Sequence, residues 1–150
     1  KYIFSPEYRL LKDRNSLILS PIHLENKEEK YFITENQIEV KVPLNLSFCK
    51  AADISFDSNK TIFVDADKLQ YPLILRHWNK GDSFQPFGMN GKSKKVSKLF
   101  KDEKLSLVEK ENSWLLCSND EIVWIIGLRQ DERFKIENTT TNRLKIQLEE

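Results

Sequence analysis

The apolar runs of this 150-residue chain are short, and that restricts what it can fold into. Leu17–Ser20, Tyr31–Thr34, Ile38–Val42, Leu46–Cys49, Ile62–Val64, Leu73–Trp78, Trp114–Cys117 and Ile122–Ile126 are runs rich in β-branched or aromatic residues. Runs of this length suit strands, whereas a helix needs roughly ten or more residues of 3.6-fold pattern. Ser118-Asn119-Asp120-Glu121 separates the last two with turn chemistry and predicts a hairpin. Phe134–Ile136 and Leu144–Leu148 close the chain as strands, the latter half-buried because Leu144, Ile146 and Leu148 alternate with Lys145 and Gln147. Helices are few. The best is 94–102, Arg9–Lys12 is ambiguous, and Asp65–Leu69 reads as one turn capped by Asp65. The expected class is α+β, strand-dominated: β layers with one or two short helices packed on them.

A hydrophobic content of 39% over this length supports one core, and two would be small. The charged stretch Glu25–Lys30 reads as a loop and a break after an N-terminal β segment. We expect residues 1–70 to form an N-terminal β-rich or linker segment and 71–150 a C-terminal domain. No run of eighteen apolar residues exists, and the first fifteen residues scatter charges without an apolar block, so neither a membrane span nor a signal peptide is expected. Cys49 and Cys117 lie in apolar runs and read as buried, reduced thiols of a cytoplasmic protein. Two cysteines and two histidines without a close pair offer no zinc spacing, so no metal site is expected.

Charge is local. The chain totals only +1, yet Lys92, Lys94, Lys95, Lys98, Lys101 and Lys104 face just Asp102 and Glu103, giving +4 over 92–104. Extending back to Arg76 brings in Lys80 and Asp82, so 76–104 carries +5 and the remainder −4. Val96, Leu99 and Phe100 form an apolar stripe at i, i+3, i+4, and Lys94, Lys98 and Lys101 fall together on the opposite face of the predicted helix. Ser93 is the expected N-cap. Upstream, Gly81, Asp82, Pro86, Gly88 and Gly91 mark a tight loop, where glycines and Asn90 permit positive φ. A solvated lysine face is the ordinary outcome of such a helix. A patch that attracts a polyanion is the other.

Other candidates have plain structural readings. His77 at a strand end reads as structural or surface, and His23 has no partner in a recognisable motif. Trp114 and Trp124 lie in apolar strands and read as core, while Trp78 is more open. Asp82 is expected to order its turn through backbone N–H groups, and Arg129 and Arg133 have Asp131 and Glu132 beside them as ion-pair partners. No pair of carboxylates sits in an acid/base motif, so no catalytic residue is assigned.

Arg76-His77-Trp78, then Gly81-Asp82, Phe84, Pro86, Gly88-Met89, Gly91, Lys95-Val96-Ser97, Phe100 and Lys104, together resemble the C-terminal domain signature of bacterial tRNA(Ile)-lysidine synthetases. The match continues through Glu121–Arg129 and Asp131-Glu132-Arg133-Phe134, and Leu10–Ile18 looks like the segment leading into that domain in one branch of the family. The resemblance implies a small β-layered fold related to an editing-type module of phenylalanyl-tRNA synthetase. It also implies a parent ligase that joins lysine to the wobble cytidine of an isoleucine tRNA, using ATP with magnesium through an adenylated intermediate. Family members carry an N-terminal ATP-pyrophosphatase domain with a Ser-Gly-Gly-x-Asp-Ser phosphate loop. The four glycines here, at 81, 88, 91 and 127, include no adjacent pair and none before Gly81, so such a loop cannot be built.

The expectation is therefore a catalytically inactive fragment without its own cofactor, holding the acceptor-stem end of tRNA. Arg76, Lys80, Lys92, Lys94, Lys95, Lys98, Lys101, Lys104, Arg129 and Arg133 are the expected RNA contacts, and the parent's N-terminal catalytic domain the expected protein partner. A homodimer is left open, and an editing-type hydrolytic or amino-acid-binding domain is the alternative reading.

Overall fold

The computed structural model describes residues 2–4, 8–13, 16–21, 29–52, 54 and 58–149, with side chains from residue 29 onward. Its elements run β1 (Tyr2–Phe4), β2 (Tyr8–Asp13), β3 (Ser16–Pro21), β4 (Lys30–Ile33), β5 (Glu39–Val40), β6 (Leu46–Lys50), β7 (Thr61–Asp65) and β8 (Leu73–His77). There follow β9 (Ser83–Phe84), β10 (Lys94–Lys95), α1 (Val96–Asp102), α2 (Leu107–Glu111), β11 (Trp114–Ser118), β12 (Glu121–Ile125), β13 (Arg129–Gln130) and β14 (Arg143–Leu148). The ambiguous Arg9–Lys12 is strand, inside the antiparallel sheet β1-β2-β3.

Two larger sheets carry the rest: a five-stranded one ordered β13-β12-β11-β8-β4 and a four-stranded one ordered β5-β6-β14-β7. Both take strands from either side of residue 70, since β4 pairs with β8, and β6 and β7 both pair with β14. The period-two alternation of the five-stranded sheet explains its two-sided burial. Leu73, Leu75 and Leu116 join a core with Val40, Leu46, Phe48, Ile62, Val64 and Ile146 of the four-stranded sheet. Ile74, Leu115, Cys117 and Ile125 turn the other way, against Phe84 and the Val96, Leu99, Phe100 stripe of α1. Those three α1 side chains are at most 2% exposed. Each stabilises the packing by about 1.5–3 kcal/mol, which holds so short a helix where propensity alone would not.

The predicted β11–β12 hairpin forms, with Asn119 at φ 52° in its turn. Its register slips between Leu116 and Cys117, which pair with Trp124 and Ile122, so Val123 is an extra, bulged residue. Asp65 caps the 3-10 turn Ala66–Lys68 as expected, its carboxylate accepting from the Asp67 N–H.

Several expectations are corrected. Ser93 is not the helix cap: Lys94 and Lys95 pair with Phe84 and Ser83 as strand, so α1 starts at Val96 with Lys95 at the N-cap and no side-chain cap bond. Phe134–Ile136 is not a strand. The Asp131 carboxylate caps a 3-10 turn at Glu132–Phe134, and only Lys135 makes a bridge, to Val64. The run Ile38–Val42 shrinks to the two residues of β5, with Ile38 73% and Val42 64% exposed. Cys117 is buried but Cys49 is exposed, because Phe48 takes the inward position beside it on β6. Of the charged break Glu25–Lys30, residues 25–28 lie outside the described residues and Lys30 opens β4.

Candidate nucleic-acid interface

The basic segment begins where β8 ends. The Arg76 guanidinium donates twice to Asp82, Nη1 to Oδ2 at 2.8 Å and Nη2 to Oδ1 at 3.1 Å. Burial opposes the charge on Arg76, but the bonds and charge of Asp82, together with Cys117 beside it, outweigh it and raise the guanidinium above its ordinary value. Asp82 Oδ2 also accepts the Asn79 N–H at 2.7 Å, while the Asp82 carbonyl accepts the Val96 N–H at 2.9 Å. One aspartate thus orders the turn around Gly81, which sits at φ +98°, and ties that turn to the first residue of α1.

The 85–91 loop is laced to a distant segment. Asp131, 0% exposed, accepts from the Gln85 N–H at 2.8 Å and from Arg133 through its N–H, Nε and Nη2 at 2.8–3.0 Å. Its hydrogen bonds and charge lift Arg133 above the ordinary guanidinium value, against some desolvation. Glu132 reaches the Gly91 N–H at 2.6 Å, the Phe87 N–H donates to the Gln130 carbonyl, and Arg129 Nη2 donates to the Phe87 carbonyl at 3.0 Å. The bulge at Val123 exposes the carbonyl that receives the Asp131 N–H at 2.9 Å, setting Asp131 in place. Gly88 and Gly91 have φ +86° and +81°, with Asn90 at 54°, so the loop reverses as the sequence predicts. Pro86 is buried beneath it, in a bridge with Asp131.

The candidate cations divide into groups. Lys94 Nζ lies 2.7 Å and Lys98 Nζ 3.3 Å from the two oxygens of Asp102. The Lys94 bond is the main cause holding that carboxyl below its usual range. Arg76 and Arg133 are committed to Asp82 and Asp131, Arg133 also lying 3.5 Å from Glu121, and Arg129 is bonded to the loop backbone. Lys80, Lys92, Lys95 and Lys101 are exposed and have no ion-pair partner among the described residues. Lys104 is exposed at φ 57° just past α1. The expected cluster of Lys94, Lys98 and Lys101 on one helix face is therefore replaced by Lys98 and Lys101 on α1, Lys95 at its cap and Lys94 in the preceding strand.

Apart from the cations, His77 and the tryptophans are packed side chains. His77 stacks on Trp114 with centroids 3.8 Å apart and its Nδ1 lies 3.3 Å from the Ser113 carbonyl. Trp124 is 0% exposed, and Trp78 packs edge-on against Phe100 at 5.2 Å. Cys117 sits beside Arg76, yet burial dominates and pushes its thiol up to about 11. No group of three or more His, Cys, Asp or Glu able to hold a metal occurs among the described residues. No described helix is long and apolar enough to cross a membrane. Sequence reasoning missed Asp131, Glu132 and Asp102 as organisers of the basic segment. Asp131 and its Gln85 partner are 46 positions apart, so no local pattern announces them. Asp102 could have been read from its i,i+4 spacing to Lys98.

Comparison with known proteins adds a family. The profile of the TilS substrate C-terminal domain matches residues 73–147. The tRNA(Ile)-lysidine synthase of Parabacteroides distasonis is 46% identical over 145 residues, spanning 93% of this chain and 32% of that protein. The tRNA(Ile)-lysidine synthase of Bacteroides thetaiotaomicron is 38% identical over 149 residues, spanning 93% and 31%. The chain thus spans about a third of the length of these curated relatives. A crystal structure of a TilS C-terminal domain superposes with a TM-score of 0.65 at 23% identity, over 79% of this chain and 95% of that one, and so shares the fold.

Proposed function

The chain belongs to the TilS substrate C-terminal domain family, and on that premise we propose that it is the tRNA-binding part of a tRNA(Ile)-lysidine synthase. In this reading residues 71–150 grip the acceptor-stem end of the tRNA. A separate N-terminal part of the protein uses ATP and magnesium to join lysine to the wobble cytidine, and the whole works in the cytoplasm.

The observation that carries the reading is the placement of charge. A segment of net +5 in a chain of +1 is folded into a braced loop and a short helix, with Lys80, Lys92, Lys95 and Lys101 exposed and unpaired among the described residues. Duplex RNA is held mainly through shape, phosphates and 2′-hydroxyls. Lysines mounted on a braced backbone suit that recognition, because little loop ordering remains to oppose binding. The internal pairs Arg76–Asp82 and Arg133–Asp131 set the frame, and the partnerless lysines supply the attraction.

Titrating labelled duplex RNA with the chain at several salt concentrations tests this. With about four phosphates neutralised, log K should fall with log salt at a slope of about −3 to −4. Lys95→Ala/Lys101→Ala should reduce the slope by about 2 and weaken binding across duplex sequences alike. A salt-independent affinity, or one indifferent to that double substitution, rejects this surface.

A further inference from the structure

The lysine helix carries its own counter-charge, at the end where a helix least favours one. Asp102 is the last residue of α1. Unpaired carbonyls give that end of a helix partial negative charge, so a carboxylate there is opposed and a lysine favoured. Two cations from different elements hold Asp102 against this opposition. Lys94, in β10, places Nζ 2.7 Å from Oδ2, and Lys98, one turn back on α1, places Nζ 3.3 Å from Oδ1. Both carboxylate oxygens are therefore engaged. Glu103, the next residue, is an exposed acid whose carboxylate has no partner among the described residues.

The three side chains make a unit of net +1 where the lysines alone would give +2. Lys94 is the more firmly committed, being only 20% exposed and carried on backbone paired with Phe84 of β9. The Asp102 side chain is 41% exposed, so it also repels an approaching phosphate at close range. Lys80, Lys92, Lys95 and Lys101 stand outside this unit and are exposed. What the unit withholds depends on the form of the RNA. A duplex presents its phosphates in a fixed array and is held through its shape, so it engages only cations set to match it. A single strand bends to follow whatever cations are exposed, and its affinity grows with their number.

We propose that Asp102 is a specificity-determining residue of the RNA surface: by holding Lys94 and Lys98 it withholds two cations from flexible single strands and keeps the basic segment selective for duplex RNA. This rests on the RNA-binding reading above and adds to it the residue that sets which RNA is refused.

The test measures, by fluorescence anisotropy, binding of a labelled duplex and of a labelled uridine single strand of the same length to the intact chain, to Asp102→Asn and to Glu103→Gln. Each substitution removes one negative charge, but only the first releases two lysines. Asp102→Asn also relieves the end of α1, whose buried stripe is untouched, so the fold is kept. Asp102→Asn should tighten single-strand binding about tenfold and steepen its slope of log K against log salt by about 1.4. Duplex binding should rise by under about threefold, and Glu103→Gln should change either RNA by no more than that. In a Lys94→Gln/Lys98→Gln background, Asp102→Asn should do no more than Glu103→Gln. Equal effects of the two substitutions on the single strand, or equal gains for duplex and single strand, overturn the proposal and leave the lysine surface standing. If the unaltered chain binds no duplex, the RNA-binding reading itself fails, and the single strand then decides the role of Asp102 alone. Binding gained by Asp102→Asn and not by Glu103→Gln supports it, and no such gain overturns it.

Discussion

Arg76 at the end of β8 and Asp82 six residues on are joined by two parallel hydrogen bonds, and the same carboxylate fixes the turn between them. Their side chains are only 17% and 16% exposed, so each charge has little water to fall back on. Removing one partner should therefore cost more than removing both. Asp82→Ala is expected to destabilise the chain by about 3 kcal/mol, and Arg76→Met/Asp82→Ala by less than Asp82→Ala alone. Urea denaturation at neutral pH reads both quantities. A loss under about 0.5 kcal/mol for Asp82→Ala would place the pair with ordinary surface bridges.

Gly91 separates backbone strain from crowding. A Cβ there would meet nothing nearer than the Gln85 amide oxygen at 4.0 Å, so space is available, but φ is +81°. Gly91→Val should cost about 1–2 kcal/mol through conformation alone, and Gly91→Asn clearly less because Asn tolerates the left-handed region. Loss of the Glu132 contact to the N–H at position 91 should appear as faster amide exchange there. Equal cost for Val and Asn would contradict the assignment of strain.

The two thiols should behave oppositely. Cys49 is exposed and Cys117 is buried with its thiol pushed up to about 11, so alkylation of the native chain at pH 8 should modify Cys49 only. Because the folded state holds the Cys117 proton more tightly than the unfolded one, stability is unaffected below about pH 8. It should decline as pH rises from about 9 towards 11, where the unfolded thiol has ionised and the folded one has not. Cys117→Val should flatten that part of the stability–pH curve. Rapid native modification of both thiols would show the burial argument wrong.

In a full-length relative, deleting the segment equivalent to this whole chain should lower kcat/KM for tRNA by tenfold or more and leave the KM values for ATP and lysine within about twofold. Binding energy gathered far from the reacting atoms lowers the barrier only through the substrate that carries it. The chain alone should catalyse no lysine- and tRNA-dependent ATP–pyrophosphate exchange, since its four separated glycines cannot form a phosphate loop. A large rise in lysine KM on deletion, with tRNA parameters unchanged, would assign the domain to the amino-acid site instead.

What the sequence revealed and what it hid divides by range. The β11–β12 hairpin, the Val96/Leu99/Phe100 stripe, the Asp65 cap and the positive φ of Gly88 and Gly91 each rest on residues within a few positions of one another. Ser93 failed as a cap because the pairing of Lys94 and Lys95 with β9 outweighs a local hydroxyl and keeps those residues extended. The helix α2 was legible and overlooked: Ser106 and Glu109 form a reciprocal capping box at the standard spacing. The lacing of the loop by Asp131 and Glu132 was not, since bonds spanning 46 and 41 positions follow from sheet topology. For the same reason the lysines divide into Asp102-bound and partnerless groups only once β10 has been placed.

The strand order β5-β6-β14-β7 puts the last strand of that sheet between two that precede it by at least 78 positions. On a ribosome, β6 and β7 would emerge with a vacant lane between them. For the several seconds needed to add the intervening residues at about 5–20 per second, both would present unpaired edges. The sheet can close only when Arg143–Leu148 is delivered, so the core beneath it forms late and all at once. Nascent chains stalled just before residue 143 should therefore be far more sensitive to protease across both β6 and β7 than chains released a few residues beyond 148.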